Sequence, residues 1–195
     1  MKLDESFYLR EDVVKIAKEL LGKILFTRVN GKVTAGMIVE TEAYSQKEKG
    51  CHAYRGMTER NRVMFGAGGT SYVYLCYGIH HLFNIVTNVE GVADAVLIRA
   101  IEPQVGEDHM VRRVMAASAK RIGSGPGKLT KALGIDRSFN GKYLLSDHVW
   151  LEDRGIKVSK SKIASSKRIG IDYAGEDALL PWRFMIRDNL WVSKP

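Results

Sequence analysis

The chain has 195 residues, of which 45% are hydrophobic, and this length suits one domain with a sizeable core. No run approaches the roughly 18 apolar residues that a membrane helix needs, and two cysteines are too few for a disulfide-stapled scaffold. Thirty Lys and Arg against 22 Asp and Glu give a formal net charge of +8, which favours an anionic partner such as nucleic acid. The lack of a long apolar run predicts no membrane partner.

The N-terminus and the cysteines predict a reducing compartment. Asp4 and Glu5 follow Lys2 closely, so the basic-then-apolar order of a secretory signal is absent. Cys51 and Cys76 are predicted to be reduced thiols. We therefore expect a single domain over residues 1–195 that works in the cytoplasm, near the nucleoid in a bacterium, or in the nucleus of a eukaryote.

The first elements are a helix and a hairpin. Apolar residues at helical spacing predict a helix from Arg10 to Leu21, with Gly22 as its stop signal. Asn30-Gly31 is a strong hairpin signal between two strands. The second strand should run through residues 37–39 into an acidic segment.

That acidic segment carries the first candidate site residues. Side chains alternate faces along a strand, so Glu42 and Tyr44 should point the same way, and Glu40 should share their face. A carboxylate beside aromatic faces can hold a nucleobase and activate water. The loop predicted for residues 45–69 is long for a compact domain, and such loops often form the wall of a site.

A second hairpin should follow the loop. Ser71–Cys76 and Leu82–Thr87 predict its strands, with Tyr72 and Tyr74 on one face. Tyr77 then lies at or near the turn. Exposed aromatic tips are uncommon unless they insert into something, so Tyr77 is predicted to contact a partner.

The remaining chain predicts a mixed fold. A strand should run from Ala93 to Ala100, with Arg99 at its end. One helix should cover residues 107–120, and a short helix should run from Gly127 or Lys128 to Leu133. Several short strands should lie between residues 149 and 192 around a Lys/Ser-rich loop. Together these elements predict an α/β mixed (α+β) domain with mostly antiparallel pairing.

Three familiar site patterns fail on spacing. Gly123–Thr130 is rich in glycine, but Ile122 and Leu129 stand where a phosphate loop needs Gly and Ser or Thr. No CxxC, HxxxH or HxE pattern accompanies the cysteines and histidines, so we expect no metal. Neither a serine-hydrolase elbow nor a dinucleotide fingerprint is present.

The surviving pattern resembles the alkyladenine (3-methyladenine) DNA glycosylases. The matching segments follow one another in order along nearly the whole chain: Glu40–Tyr44, His52, Arg60–Arg62 with Met64-Phe65, Tyr72–Tyr74 with Tyr77-Gly78, Asn84-Ile85, Leu97–Ala100 with Glu102-Pro103, Gly125–Leu129, Arg168–Gly170 with Ala174–Glu176, Pro181–Phe184 and Trp191–Ser193. Chance matching of short motifs would not keep this order.

The resemblance implies a role for each matching residue. Glu42 would be the general base that activates the attacking water, and Arg99 and the backbone carbonyl near Ile169 would help hold that water. Tyr44 and His52 would stack on one face of the damaged base and Tyr74 on the other. The backbone N–H of His52 would also bind the base edge, and Asn84 would crowd the 2-amino group of guanine. Tyr77 would fill the gap that the flipped base leaves in the duplex. Tyr72 would be a neighbour of the site.

The same resemblance implies the reaction and its partner. A monofunctional glycosylase of base excision repair would flip an alkylated or deaminated purine out of double-stranded DNA, hydrolyse its N-glycosidic bond and leave an abasic site. The fold would be a curved sheet with flanking helices and a protruding hairpin that inserts into the minor groove. The protein would act as a monomer without a cofactor.

Two other functions fit parts of the sequence. A free-sugar glycosidase could use Glu40 and Glu42 as its carboxylate pair, since same-face residues two apart on a strand lie about 7 Å apart. That function leaves the basic surface and Tyr77 unexplained. A non-catalytic nucleic-acid binder would use the charge and the aromatic residues but has no need of Glu42. The sequence leaves open the role of Glu40, the role of His80-His81 and the lesion range.

Overall fold

A curled antiparallel sheet with helices packed against it forms the fold, as seen in a computed structural model that describes residues 1–117 and 119–194. The helices are α1 (Glu5–Tyr8), α2 (Val13–Glu19), α3 (Glu107–Val114) and α4 (Pro126–Leu133). The strands are β1 (Ile24–Val29), β2 (Lys32–Tyr44), β3 (Ser71–Cys76), β4 (His80–Thr87), β5 (Asp94–Val105), β6 (Val149–Glu152), β7 (Ile163–Ser166) and β8 (Arg183–Ile186). Short 3-10 helices cover Arg62–Phe65, Arg137–Phe139, Lys160–Lys162 and Asp172–Leu179.

The strand order is β3-β4-β5-β2-β1-β6, with β8 paired to β2 and β7 paired to β8. Every pairing of these strands is antiparallel. The predicted α+β class with a mostly antiparallel, curved sheet is therefore confirmed. None of the described helices combines the length and apolar character that crossing a membrane requires.

Strand β2 is the centre of the sheet. Its residues Glu40–Glu42 pair with β5 on one side and with β8 on the other, so this stretch has no free edge. Thr41 pairs with Ile98 and Glu40 with Ala100, which leaves Arg99 as an extra residue on β5. Such β-bulges re-aim a side chain, and here the bulge directs Arg99 toward the carboxylates of β2.

The first hairpin is confirmed and the first helix is shorter than predicted. Asn30 and Gly31 connect β1 to β2 with φ angles of 50° and 72°. Helix α2 begins after Asp12 because the Asp12 carboxylate accepts the Lys15 N–H at 2.8 Å, a standard N-cap. Gly22 has a φ of 85° and ends the helical segment as predicted.

Two further elements end elsewhere than predicted, and one helix was not predicted. Strand β5 continues past Ala100 to Val105, because the long strand β2 offers it partners as far as Ala35. The helix predicted for residues 107–120 ends at Val114, after which Met115 adopts a φ of 57° and stops it. Ser118, in the same predicted helix, lies outside the described residues. Helix α1 was not predicted.

Two of the three apolar clusters in the described part of the chain support the elements around the cavity. The larger one lies between the sheet and the helices, with Ile16, Leu20, Phe83, Ile98 and Leu129 among its buried members. The smaller one holds Cys51, Met64 and Tyr72 beneath the loop predicted for residues 45–69. That loop is therefore packed onto the sheet and can hold site residues in place.

Candidate active site

A cavity of about 570 Å³ opens between the loop, the hairpin β3–β4 and the segment after Arg168. Seven of the eight site residues predicted from the sequence line it: Tyr44, His52, Tyr74, Tyr77, Asn84, Arg99 and Ile169. Tyr72, expected as a site neighbour, lines it too. Glu42 lies directly behind the wall, because its contacts Tyr44, Arg99 and Ile169 are all wall residues. Residues from distant parts of the chain thus converge on one place.

Glu42 is fully buried and holds three donors. Its Oε1 accepts the Ile169 backbone N–H at 2.9 Å and pairs with Arg99 Nη1 at 3.2 Å, and its Oε2 accepts the Tyr44 hydroxyl at 2.8 Å. Burial and the Glu42 charge raise the pKa of Tyr44 well above its usual value, so its hydroxyl stays a donor. A carboxylate offers about four acceptor positions, so these three contacts leave one unfilled on Oε2, while the side chain itself has no exposed surface.

The backbone of Ile169 contacts the site through a different group from the one predicted. The sequence reading placed the carbonyl of Ile169 on the attacking water, whereas the structure shows the N–H of Ile169 on Glu42 itself. The backbone here orients the carboxylate. Binding of water by the carbonyl stays a prediction.

Glu40 is the hub of a buried ionic network. Its Oε1 accepts Arg99 Nε at 3.0 Å, Arg183 Nε at 2.7 Å and the Ser193 hydroxyl at 2.9 Å, and its Oε2 accepts the Ser193 N–H at 2.7 Å. Burial disfavours the charged form of Arg99, but Glu42 and Glu40 together outweigh it and raise its pKa. Glu40 therefore holds the Arg99 guanidinium through Nε so that its Nη1 faces Glu42.

A second buried ion pair, missed by the sequence reading, supports the site from outside. Arg168 donates to both oxygens of Glu48 at 2.6 and 2.8 Å, and to the carbonyl of Ala43 at 2.9 Å. Its guanidinium also lies 4.8 Å from the ring of Tyr44. This pair fixes the backbone beside Ile169 and leaves Tyr44 one open ring face. Glu48 gave no sequence signal beyond being acidic in a loop.

The aromatic rings of the cavity touch one another. The ring centroids of His52 and Tyr74 are 4.6 Å apart, and those of Tyr72 and Tyr74 are 5.4 Å apart. A flat base stacked between two rings needs about 7 to 8 Å, twice the usual contact distance between carbon atoms. The predicted sandwich of a base between His52 and Tyr74 therefore requires these rings to separate, and it stays a prediction.

His52 is held by a hydrogen bond and is neutral at physiological pH. Its Nδ1 lies 3.0 Å from the Tyr72 hydroxyl. Although part of the residue is exposed, the ring packs among tyrosines. This partial burial, helped by the nearby charge of Arg60, lowers the pKa of His52 to about 4. A neutral imidazole does not repel a positively charged base.

We expect the ring proton signals of His52 to titrate near pH 4, below its ordinary value of 6.5. Because the folded state resists protonation of His52, the free energy of unfolding should decrease as pH falls from about 6.5 to about 4. Above pH 6.5 His52 should make no pH-dependent contribution to stability. Histidine NMR titration measures the pKa, with the His52→Asn spectrum identifying the signal. A titration midpoint at or above 6.5 would show that the ring is not desolvated.

The turn of the hairpin β3–β4 projects apolar side chains into solvent. Tyr77 is 90% exposed and Ile79 is 73% exposed. Tyr77 and Gly78 have positive φ angles of 48° and 72°, and the Ile79 N–H closes the turn on the Cys76 carbonyl. The left-handed backbone conformation is disfavoured for tyrosine by about 1 to 2 kcal/mol, so Tyr77 at this position lowers the stability of the fold. The sequence analysis gave no role to Ile79. The signal that could have identified it is an apolar residue at a predicted turn.

Asn84 and His80 have structural partners. Asn84 is buried in the cavity wall, and its Nδ2 donates to the Tyr72 carbonyl at 3.1 Å. His80 packs on the start of α4, where a Cβ at Gly127 would lie 2.6 Å from the imidazole, so a larger residue there would displace the His80 side chain. His80 thereby ties the hairpin to the helix, which explains a residue that the sequence left without a role.

Comparison with known proteins identifies the family. A family model described as methylpurine-DNA glycosylase matches residues 6–190. Relatives whose names describe a 3-methyladenine DNA glycosylase include one from Methanocella arvoryzae, 48% identical over 98% of this chain and 96% of its own, and one from Carboxydothermus hydrogenoformans, 46% identical over the full length of both. Another, from Chlamydia felis, is 45% identical over 98% of both chains. The chain belongs to the methylpurine-DNA glycosylase family, whose members are hydrolases acting on the N-glycosidic bond of alkylated purines in DNA.

Proposed function

We propose that this protein is a monofunctional glycosylase that flips alkylated purines out of duplex DNA and hydrolyses their N-glycosidic bond with a water activated by Glu42. One observation carries the proposal. Glu42 is held by three donors immediately behind a cavity lined with aromatic rings, and one of its acceptor positions stays free.

The carboxylate can assist at two points of the reaction. Loss of the base leaves an oxocarbenium-like sugar, which a nearby negative charge stabilises. Water bound to Oε2 then loses a proton to Glu42 as it attacks C1′. Arg99 and the Ile169 N–H keep Oε1 occupied, so Oε2 is the oxygen available for this work.

The cavity wall suits a cationic base. Alkylation at a ring nitrogen gives adenine a positive charge, and an electron-rich ring face attracts a cation by about 0.5 to 2 kcal/mol. Tyr44, Tyr72 and Tyr74 lie in this wall, and neutral His52 adds no repulsion. Arg168 lies over one face of Tyr44 and Arg60 over one face of Tyr74, so a base would use the opposite faces. Normal adenine lacks this attraction. Base entry would move the His52 ring away from Tyr74.

Glu40 does not act as a second catalytic carboxylate in this proposal. Its oxygens accept four bonds from Arg99, Arg183 and Ser193, which equals the number of acceptor positions that a carboxylate offers, whereas Glu42 accepts only three. This observation weighs against the free-sugar glycosidase, which needs a pair of available carboxylates.

The test compares methylated duplex DNA with free methylated nucleosides, and released bases are measured by mass spectrometry. The proposal predicts release from the duplex and none from the nucleosides, because binding energy from the duplex is needed to place C1′ beside Glu42. Release from nucleosides at a similar rate would favour the free-sugar glycosidase.

Replacing the exposed tip residue should separate stability from function. Tyr77→Gly should stabilise the fold by about 1 kcal/mol, because glycine adopts a positive φ without strain. The same change should weaken binding to lesion-containing duplexes, since the side chain that refills the stack is lost. Thermal unfolding and fluorescence of 2-aminopurine beside the lesion measure the two effects. Tyr54→Ala, an exposed tyrosine outside the cavity, is the control, and unchanged flipping in Tyr77→Gly would remove the wedge role.

Asn84 should control which purine is accepted. If its amide crowds the purine 2-position, Asn84→Ser should raise excision of 7-methylguanine relative to hypoxanthine, because rejection by a clash is relieved when the residue shrinks. The ratio of single-turnover rates on duplexes that differ only in the target base measures this. Leu82→Ala, which also enlarges the cavity from β4, should leave the ratio unchanged. An unchanged ratio in Asn84→Ser would assign Asn84 to bracing the Tyr72 carbonyl alone.

A further inference from the structure

A second large groove lies on the side of the sheet away from the active site. Its floor is apolar, formed by Phe7, Leu21, Val158, Ile163 and Phe184, and its volume is about 1090 Å³. That volume lies at the upper end of the roughly 300 to 1,000 Å³ typical of small-molecule sites. We refer to it as the lysine groove because lysines form its rim.

The free charges of the lysine groove are positive. Lys15, Lys157 and Lys160 line it, and within residues 1–117 and 119–194 none of them forms an ion pair. The acidic residues of the rim are already engaged: Asp12 caps α2, Glu19 pairs with Arg10 at 2.6 Å, and Asp153 pairs with Lys23 at 2.6 Å. An occupant with carboxylates would complement the remaining charge.

The aromatic rings of the floor are not platforms for nucleobases. The Arg10 guanidinium lies 4.4 Å from the Phe7 ring, and the Lys18 ammonium lies 4.9 Å from the Phe184 ring. Single-stranded nucleic acid binds by stacking bases on open aromatic faces, whereas Phe184 is only 2% exposed and one face of Phe7 is covered by Arg10. The apolar floor also gives no partner to a sugar–phosphate backbone. Apolar side chains on an acidic peptide satisfy both the floor and the rim.

The position of the groove leaves the active site free. Phe184 lies opposite Thr41 in the β2–β8 pair, and the Thr41 hydroxyl donates to the Ala17 carbonyl of α2. Directly opposite residues share a face and neighbours along a strand alternate, so Glu42 points to the other side of the sheet. An occupant of the groove would not block the cavity.

We propose that the lysine groove binds a short acidic segment of a partner protein, with bulky apolar side chains on the floor and carboxylates on Lys15, Lys157 and Lys160. This surface would let the protein be recruited while its opposite face holds DNA. The proposal does not depend on how Glu42 acts.

The test is fluorescence anisotropy of a labelled short peptide in which Asp and Glu alternate with Leu and Phe, titrated with the full-length protein. The double variant Lys157→Glu/Lys160→Glu should weaken binding by about tenfold or more, since two attractive charges become repulsive. The control Lys32→Glu/Lys142→Glu makes the same charge change at exposed sites outside the groove and should bind within about twofold of wild type. Excision by both double variants should match wild type.

Three results would overturn the proposal. The first is equal binding of a peptide whose Leu and Phe are replaced by Ala, because the floor would then play no part. The second is displacement of the peptide by undamaged duplex DNA in wild type, because the groove would then belong to the nucleic-acid path. The third is equal loss of binding in the control double variant, because only net charge would then matter.

Discussion

Glu42→Gln should lower the single-turnover excision rate by about 10²- to 10⁴-fold while lesion binding persists, because the substitution keeps the shape of the side chain but removes the proposed general base. The cavity walls that we propose bind the base, including Tyr74 and Asn84, are not altered. Excision is measured as abasic-site formation, and affinity as anisotropy of the same duplex.

The matched control for Glu42 is Glu59→Gln, which removes an exposed carboxylate from the loop that carries His52. It should excise at the wild-type rate. Tyr44→Phe tests the donor on Oε2, and its effect should be far smaller than that of Glu42→Gln. Near wild-type excision by Glu42→Gln would move the role of base to another residue.

Glu40→Ala should be the most destabilising single change at the site. It leaves the buried guanidinium groups of Arg99 and Arg183 without their shared carboxylate. Removing one partner of a buried ion pair costs about 3 to 5 kcal/mol, because the remaining charge is uncompensated. The free energy of unfolding in urea measures the loss.

Glu102→Ala provides the comparison, because Glu102 is only partly buried and accepts a single side-chain bond, from Asn189 at 2.8 Å. It should cost less than about 1.5 kcal/mol, the upper end for an ordinary hydrogen bond. If Glu40→Ala lost no more stability than Glu102→Ala, the network around Glu40 would not hold the site together.

Local signals in the sequence predicted most strands and the closeness of several candidate site residues. Asn30-Gly31 fixed the first turn, and alternation along β2 and β3 placed Tyr44 beside Glu42 and Tyr72 beside Tyr74. These features depend on neighbours two to four residues apart, which a single sequence displays. The family resemblance supplied the prediction that candidate site residues far apart in the sequence lie together in the fold, which no local pattern indicates.

Contacts between distant segments could not be predicted. Glu40 is bound by Arg183 and Ser193, and Arg168 by Glu48, and each pair is separated by more than a hundred residues. A charged residue in a sequence carries no mark of its partner. The bulge at Arg99 was missed for the same reason, because it depends on the register between β2 and β5.

Product analysis of a methylated duplex tests the central claim most directly. Mass spectrometry of the wild-type reaction should show free 3-methyladenine and a DNA strand with an intact abasic sugar, and borohydride should trap no protein–DNA adduct, because water and not a protein amine attacks C1′. Glu42→Gln should give neither product at a comparable rate. A trapped adduct, strand cleavage without alkali, or undiminished release by Glu42→Gln would contradict hydrolysis by a Glu42-activated water.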